Sequence, residues 1–307
     1  MLLGYIIKRL GQTFVVLFCV SIVAFMLIRI APGSPARMML PDSATDEQVF
    51  EMEKELGLDK PLYVQYLKYI GGILQGDMGT STAYKIPVAD IIKQRLPATI
   101  KLTVVTMIFA LAISIPLGII AGANQGTGLD FTAMLFALIG QSMSPVWLAV
   151  LNIFVFAVWL KWLPALGYGG LEYMVLPAIT LGYPVAAQIT RLGRSGMIDV
   201  LREDFITATL AKGIDRRTVY TKYAFKNALI PIVTIVGMQV GTFLAGAVIV
   251  ETVFSWSGIG QLTFQAVGNR DYALVQSILL LTAAIFAIIN LLVDIINSLI
   301  DPRITLE

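Results

Sequence analysis

The stretch that decides the fold spans residues 99–123 and reads TIKLTVVTMIFALAISIPLGIIAGA. It carries one charged side chain, Lys101, and exceeds the roughly 20 residues that a helix needs to cross a bilayer. Other long apolar runs lie on both sides of it. They are Gly11–Ile30, Phe131–Leu160, Met174–Ile189, Leu229–Val250 and Val275–Ile300. The pattern predicts an all-α, polytopic membrane protein with six transmembrane helices.

The composition agrees with this class and excludes several kinds of chemistry. Of the 307 residues, 57% are hydrophobic and 14% are charged, whereas soluble domains carry about 25% charged residues. The chain has no histidine, and its single cysteine is Cys19. A metal site built from His and Cys, a Ser-His-Asp or Cys-His catalytic unit and an internal disulfide are therefore all excluded. The net charge of +2 and the lack of a basic tail indicate no nucleic-acid partner.

Three parts follow from the charge distribution. Residues 1–30 hold the amino terminus and the first span, residues 31–98 form a helical insertion, and residues 99–307 form a transmembrane core of five helices. In the insertion, APGSP at 31–35 should break the first helix. Thr45 and Gln48 are spaced as a capping box, and the helix after them should end at Gly57. Apolar residues at helical spacing predict a second short helix over Leu62–Leu74.

Small residues recur every four positions in two of the spans, which allows another helix to approach closely. These positions are Ser114, Gly118 and Gly122 in the second span, and Gly237, Gly241 and Ala245 in the fifth. The third run, with 30 residues, exceeds the thickness of the hydrocarbon core. We therefore expect Pro145 to kink this helix and one of its ends to project from the bilayer.

The orientation follows from the basic residues, which concentrate on the cytoplasmic side of membrane proteins. Eight of them lie in the loop predicted at 190–228. They are Arg191, Arg194, Arg202, Lys212, Arg216, Arg217, Lys222 and Lys226. Placing this loop in the cytoplasm also places Lys8, Arg9 and both termini there, and it places the 31–98 insertion outside.

The basic loop contains a segment, residues 204–231, that reads DFITATLAKGIDRRTVYTKYAFKNALIP. A helix over Asp204–Lys212 should stop at Gly213, and Asp215 should cap the next helix. Four residues of the first helix share a small, mildly apolar face: Phe205, Ala208, Thr209 and Lys212. Such a face suits insertion into a groove of another protein. A solvated loop that only fixes the orientation of the spans explains the composition equally well.

Several motifs resemble one known family, the permease subunits of peptide/nickel-type ABC importers. The loop motif is Thr207-Ala208-Thr209-x-x-x-Gly213 followed by Asn227-Ala228-Leu229-x-Pro231, with Thr207 where the family has glutamate. Further matching stretches span nearly the whole chain. They are YIIKRL at 5–10, LIRIAPGSPA at 27–36, LGLDKPLYVQY at 56–66, GDMGTS at 76–81, RLPATIKLT at 95–103, VETVFSWSGIGQL at 250–262 and NRDY at 269–272. Ser34 and Ser257 depart from the aspartate and proline expected there.

The resemblance implies a non-catalytic subunit of the bacterial inner membrane. It implies a pathway built with a second, homologous permease, two cytoplasmic ATPase subunits that bind ATP and Mg, and an extracytoplasmic solute-binding protein. The sequence agrees, since it has no G-x-x-x-x-G-K-[ST] phosphate loop. The implied coupling residues are Asp204, Phe205, Thr207, Ala208, Thr209, Ala211, Lys212, Gly213 and Asp215. The implied external gate contains Phe254, Trp256, Gly258 and Gly260, although Trp256 could instead be an interfacial aromatic anchor.

Polar residues within the spans are candidates for lining a pathway, or for hydrogen bonds between helices. They are Gln141, Ser142, Ser144, Asn152 and Gln239. Asp294, the acid well inside a span, is expected to pack against a polar or basic neighbour. An ion- or proton-coupled secondary transporter is the competing class, but we find neither an internal repeat nor the set of buried titratable residues typical of it.

Overall fold

A computed structural model describes residues 2–30, 37, 40 and 44–300, and these are mostly helical. The only β-structure in these ranges is an isolated bridge between Thr80 and Pro87. The first helices are α1 (Leu2–Ile30), α2 (Asp46–Leu56), α3 (Leu62–Leu74), α4 (Val88–Ala123), α5 (Gly128–Ser142) and α6 (Pro145–Asn152). A π-helix, π1 (Ile153–Trp159), continues α6. The APGSP segment at 31–35 lies outside the described residues.

The second half begins with α7 (Glu172–Leu201), α8 (Asp204–Ala211) and α9 (Arg216–Thr218). A second π-helix, π2 (Val219–Ala224), joins α9 to α10 (Phe225–Leu244) without a break. The remaining helices are α11 (Val248–Val253), α12 (Ile259–Gly268) and α13 (Tyr272–Ile300). The all-α prediction is therefore confirmed.

Helix length and hydropathy identify fewer spans than the sequence predicted. Among the described residues, three helical segments are long and apolar enough to cross a membrane: Ile7–Met26, Val88–Ala123 and Tyr272–Ser298. The pair α5 and α6–π1 gives a fourth if it is one span. The six-span count is thus not confirmed by these criteria, because α7 includes charged residues and the apolar part of α10 is short.

The third predicted span needs a correction. One kinked helix was expected over Phe131–Leu160, but α5 and the α6–π1 segment are bent by 105°. Met143 and Ser144 both adopt extended backbone between the two helices, and Pro145 occupies the first position of α6. Proline favours extended backbone in the residue before it and is well suited to begin a helix. The chain is therefore broken at the predicted position and turned much further than a kink.

Two predicted loop boundaries are also wrong. Helix α4 begins at Val88 and crosses the boundary placed at 98/99, because Val88, Ile91 and Ile92 pack into a cluster with α12 and α13. Helix α7 runs on to Leu201, so the first twelve residues of the predicted 190–228 loop are helical. The basic side chains there suggested a loop, but buried residues such as Met197 keep this segment packed as a helix.

The two short helices of the insertion form as predicted. Thr45 and Gln48 make the capping box at the start of α2, and Gly57 ends it with a φ of 72°. Helix α3 packs on α1, where the hydroxyls of Tyr66 and Ser21 lie 2.7 Å apart and the rings of Tyr66 and Phe25 meet edge to face. The insertion is thus held to the first span.

Helix α7 lies at the centre of the core and packs closely on α4. A Cβ atom added to Gly118 would lie 3.3 Å from the Cα of Gly193, and one added to Gly122 would collide with Met197. The predicted seam at these glycines is therefore confirmed. Residues that come later in α4 contact residues that come later in α7, so the two helices run parallel.

The second predicted seam joins α10 to α13. A Cβ atom on Gly237 would collide with Val293, and one on Gly241 would touch the ring of Phe286. Helix α13 also holds α1, because Asp294 forms an ion pair with Arg9 at 3.2 Å. The expectation that Asp294 has a basic neighbour is confirmed, and α10 runs antiparallel to α13. So does α1, because Phe25 packs on Tyr69, which lies beside Gln276 near the start of α13.

Candidate functional site

Helix α8 is the short helix that the sequence predicted in the basic loop. It ends at Ala211, Lys212 follows as its C-terminal cap, and Gly213 then turns the chain with a φ of 82°. A positive φ of this size favours glycine because other residues are strained there. Two turns of helix are thus separated sharply from α9.

One side chain attaches α8 to the body of the protein. Ile206 is only 3% exposed and lies in a cluster with Met197 of α7, Val219 and Ala224 of π2, and Ala228 of α10. Ile119 of α4 and Leu210 of α8 itself are among the partly buried residues that pack against this cluster. The predicted coupling residues did not include Ile206, although it is the most apolar residue of the short helix. The cluster fixes α8 to the ends of three long helices.

The residues that were predicted for coupling lie outside this cluster. Phe205 is 41% exposed despite its large apolar ring. The other exposed members are Asp204, Thr207, Ala208, Ala211, Lys212, Gly213 and Asp215, whereas Thr209 is half-buried. The Thr209 hydroxyl is used within the helix, where it donates to the carbonyl of Phe205. One face of α8 is therefore packed and the other is open.

Asp215 caps the next helix, as the sequence predicted. Its carboxylate accepts a hydrogen bond from the backbone N–H of Thr218 at 2.9 Å. Hydrogen bonds from Thr218, through its side chain first and its backbone second, hold the pKa of Asp215 below its ordinary value. The side chain of Asn227 in the predicted loop motif lies outside the described part of the chain.

The lowered pKa of Asp215 predicts pH-dependent order in this turn. Because the pKa is lower in the folded loop than in the unfolded chain, capping is complete above the ordinary carboxyl range. It is lost as the pH falls through the lowered pKa. We expect Asp215→Ala to reduce the hydrogen-exchange protection of residues 216–219 at neutral pH. The protection that remains in this variant should not fall further on acidification. Asp215→Asn should keep protection without the titration, because an amide oxygen still caps. Equal, equally pH-dependent protection in all three proteins would contradict the assignment.

A partly buried ion pair joins the last third of α7 to α5. Arg194 of α7 donates through Nε and Nη2 to the two carboxylate oxygens of Asp130 in α5, with the Nη2 contact at 2.8 Å. The backbone N–H of Gly126 also donates to Asp130. The sequence predictions had placed Arg194 in a loop and did not include Asp130. An acid directly before the predicted span, in the first turn of the observed helix, was the signal that could have suggested it.

The predicted gate residues belong to a compact turn on the amino-terminal part of α4. Glu251, fully buried, accepts hydrogen bonds from the hydroxyl of Thr99 and the backbone N–H of Gln261, both at 3.0 Å. The oxygen of Thr99 in turn accepts from the N–H of Ile259. A Cβ atom on Gly258 would collide with both Glu251 and Thr99, so a larger residue there would have to displace these hydrogen-bonded side chains.

The aromatic residues of this turn face inward. Phe254 and Trp256 are 2% and 1% exposed, and the indole N–H of Trp256 donates to the carbonyl of Ala98 at 3.0 Å. Gly260 lies directly against the backbone of Val248. The alternative of Trp256 as an interfacial anchor is therefore wrong, since its ring is enclosed by the protein. A gating role for the four residues stays a prediction.

The pathway candidates divide into two groups. Gln141, Ser142 and Ser144 are found around the break between α5 and α6, and all three are exposed. Asn152 is 5% exposed and donates to the Thr180 hydroxyl, so it joins α6 to α7 and does not line a surface. Of the two roles that the sequence allows for Asn152, the structure shows the hydrogen bond between helices.

The last pathway candidate has a partner that the sequence did not reveal. Gln239 of α10 is half-buried, and its amide lies 3.4 Å from the side-chain oxygen of Gln188 on α7. Within the described ranges, no group of three His, Cys, Asp or Glu side chains could hold a metal ion. The polar features are therefore an open helix face at one end, a buried carboxylate turn at the other and a glutamine pair between two core helices.

Comparisons with known proteins agree with this architecture. The inward-facing MetNI methionine ABC transporter has a similar fold, with a TM-score of 0.58 and 19% identity over 68% of this chain and 96% of that chain. The dipeptide transport system permease protein DppB of Alkalihalophilus pseudofirmus is 39% identical over 99% of both chains. The glutathione transport system permease protein GsiC of Escherichia coli K12 is 40% identical, again over 99% of both.

Two family descriptions together match almost the whole chain. Residues 2–103 match the amino-terminal part of binding-protein-dependent transport system membrane components, and residues 114–306 match the inner membrane component itself. The second match includes α8, the glutamine pair and the buried carboxylate turn. The chain belongs to the family of binding-protein-dependent transport system inner membrane components.

Proposed function

We propose that this chain is one of two permease subunits that form the pathway of an ATP-driven importer for peptides or similar small solutes. Two cytoplasmic ATPase subunits bind its inner face, and an extracytoplasmic binding protein delivers the solute. The names of the relatives, which transport dipeptides and glutathione, support this class of solute. The chain itself carries no catalytic group in the proposal.

The observation that carries the proposal is the two-sided packing of α8. Its inner side is held by Ile206 among residues of α7, π2 and α10, and its outer side presents Phe205 and Ala208 without cover. A partner that grips the outer side moves all three elements together. A conformational change can be driven only by contacts that differ between two states, and such a joint supplies them.

The proposed orientation places α8 and both termini in the cytoplasm and spans the membrane six times. The alternating directions of the helices support it: α1 and α10 run against α13, α10 runs against α7, and α7 runs along α4. The Arg9–Asp294 pair brings the beginning of α1 to the end part of α13. This arrangement also agrees with the excess of basic residues near α8.

Purification and reconstitution test the proposal. The tagged chain should co-purify with ATPase subunits and a second permease, and uptake into vesicles should require ATP. Uptake by the isolated chain that is driven by a proton or sodium gradient, with no ATPase bound, would overturn it in favour of a secondary transporter.

A further inference from the structure

From Gly182 onwards, helix α7 packs mainly on three neighbours, α4, α5 and α10, and has one side that none of them covers. It meets α4 through Gly182, Gly193 and Met197, α5 through Tyr183, Ala187 and Arg194, and α10 through Gln188, Gly193 and Gly196. At 3.6 residues per turn, these contacts leave a free sector between the sides that face α5 and α10. Four residues spaced four, three and four apart follow this sector: Pro184, Arg191 and Ser195 lie on it, and Gln188 lies at its edge beside α10.

The exposure of these residues agrees with the helical geometry. Arg191 and Ser195 are exposed, and Pro184 and Gln188 are half-buried, whereas most of their neighbours along α7 are buried. Gln239 of α10 borders the sector, and its side-chain N–H group donates to the side-chain oxygen of Gln188. The uncovered side of the central helix is therefore polar along about three turns.

The two arginines of α7 differ in what they bind. Arg194 is paired with Asp130, but Arg191 makes no ion pair or hydrogen bond with any residue that the structure describes. Together with Gln239 of α10, the three turns of α7 thus present two amides, one hydroxyl and one unpaired guanidinium. This combination matches a ligand that carries amide groups and a carboxylate, because a guanidinium binds carboxylates with paired hydrogen bonds.

Lipid is a poor occupant for this sector. Arginine and other strongly polar side chains are costly against lipid, so on a membrane-embedded helix they face protein or water. Helix α4, which runs beside α7, shows what an apolar exposed side looks like in the same chain. Its exposed positions there are Val104, Ile108, Ala112, Pro116 and Ile120.

We propose that the sector formed by Gln188, Arg191 and Ser195, together with Gln239, lines the translocation pathway and that Arg191 binds the carboxylate of the solute in transit. This inference rests on the proposed function, and it adds the residues and the chemical group that they recognise. The two glutamines hydrogen-bond the amide groups of the same solute, and Ser195 continues the polar surface towards the end of α7.

Cysteine accessibility tests the first part. Cys19 is the only cysteine, so Cys19→Ser gives a clean background for single cysteines in the full transporter. We expect Gln188→Cys to react with 2-sulfonatoethyl methanethiosulfonate, a membrane-impermeant anion, at least about tenfold faster than Ala112→Cys. Ala112 is the matched control, because the α4–α7 contacts place it at nearly the same depth as Gln188, on the apolar side of α4.

Charge selection tests the second part. In the Gln188→Cys protein, the anionic reagent should react faster than the cationic 2-(trimethylammonio)ethyl reagent, and Arg191→Gln should lower this rate ratio several-fold. Arg191→Lys should keep most of the ratio, and Arg217→Gln, an equal loss of charge on α9, should leave it unchanged. Equal reactivity of the cysteines at positions 188 and 112 would overturn the pathway assignment. An anion-to-cation rate ratio that Arg191→Gln leaves unchanged would overturn the assignment of Arg191 as the carboxylate site. The labelling uses transporters with demonstrated ATP-driven uptake, so a failure of ATP coupling counts against the proposed function alone.

Discussion

Replacing Ala208 with arginine is expected to reduce ATP-driven uptake by at least about tenfold, since a bulky charge in an interface costs several kcal/mol. Ala208 lies on the open side of α8, and its side chain makes no buried contact within the described part of the chain. The variant should therefore insert, fold and bind its partner permease normally. ATP hydrolysis should persist or rise while transport falls, which is measured by comparing phosphate release with uptake in the same vesicles.

Gly128→Arg is the matched control for this prediction. Gly128 starts α5 near the same end of α7, has ordinary helical backbone, and a Cβ atom there would meet nothing within 4 Å. It adds the same side chain without touching α8, so coupling should be close to normal. Normal uptake by the Ala208→Arg protein would show that the outer side of α8 is not where the ATPase binds.

Glu251→Ala is expected to destabilise the protein by about 2–4 kcal/mol, because it leaves two buried donors without an acceptor. The donors are the hydroxyl of Thr99 and the backbone N–H of Gln261, which come from α4 and α12. The loss should appear as a lower apparent melting temperature of the solubilised chain.

The neighbouring residue Thr252 supplies the control for Glu251. Its hydroxyl donates to the carbonyl of Val248 within the same short helix, so Thr252→Ala breaks a hydrogen bond that joins no other element. We expect an effect below about 1 kcal/mol. Thr99→Ala combined with Glu251→Ala should cost less than the sum of the two single changes, since they share one contact. Equal melting of the Glu251 and Thr252 variants would contradict the role given to the carboxylate.

The features that the sequence predicted well depend on neighbours along the chain. The capping box at Thr45, the left-handed turn at Gly57 and the glycine seams at Gly118 and Gly237 each follow from spacing on one helix. The ends of α8 and the cap at Asp215 belong to the same group. A local pattern is sufficient wherever a local hydrogen bond or a missing side chain determines the structure.

The features that the sequence did not reveal depend on residues far apart in the chain. The angle at Pro145 is set by the surfaces on which α5 and α6 pack, and no pattern within the 30 residues encodes it. Arg194 was interpreted as part of a charged loop because its partner, Asp130, lies 64 positions away. Asn152 and Gln188 likewise acquired their roles from Thr180 and Gln239 on other helices.

The close packing of α4 on α7 has a consequence for communication across the membrane. These two helices have almost no side-chain layer between them at Gly118 and Gly193. They therefore form one tightly packed pair about 45 Å long. One end of this helix pair holds α8, and the other end holds Thr99 and the turn around Glu251. In the proposed importer, thermodynamic reciprocity requires that a binding protein docked outside alters the nucleotide affinity of the ATPase subunits by the same factor as nucleotide alters docking.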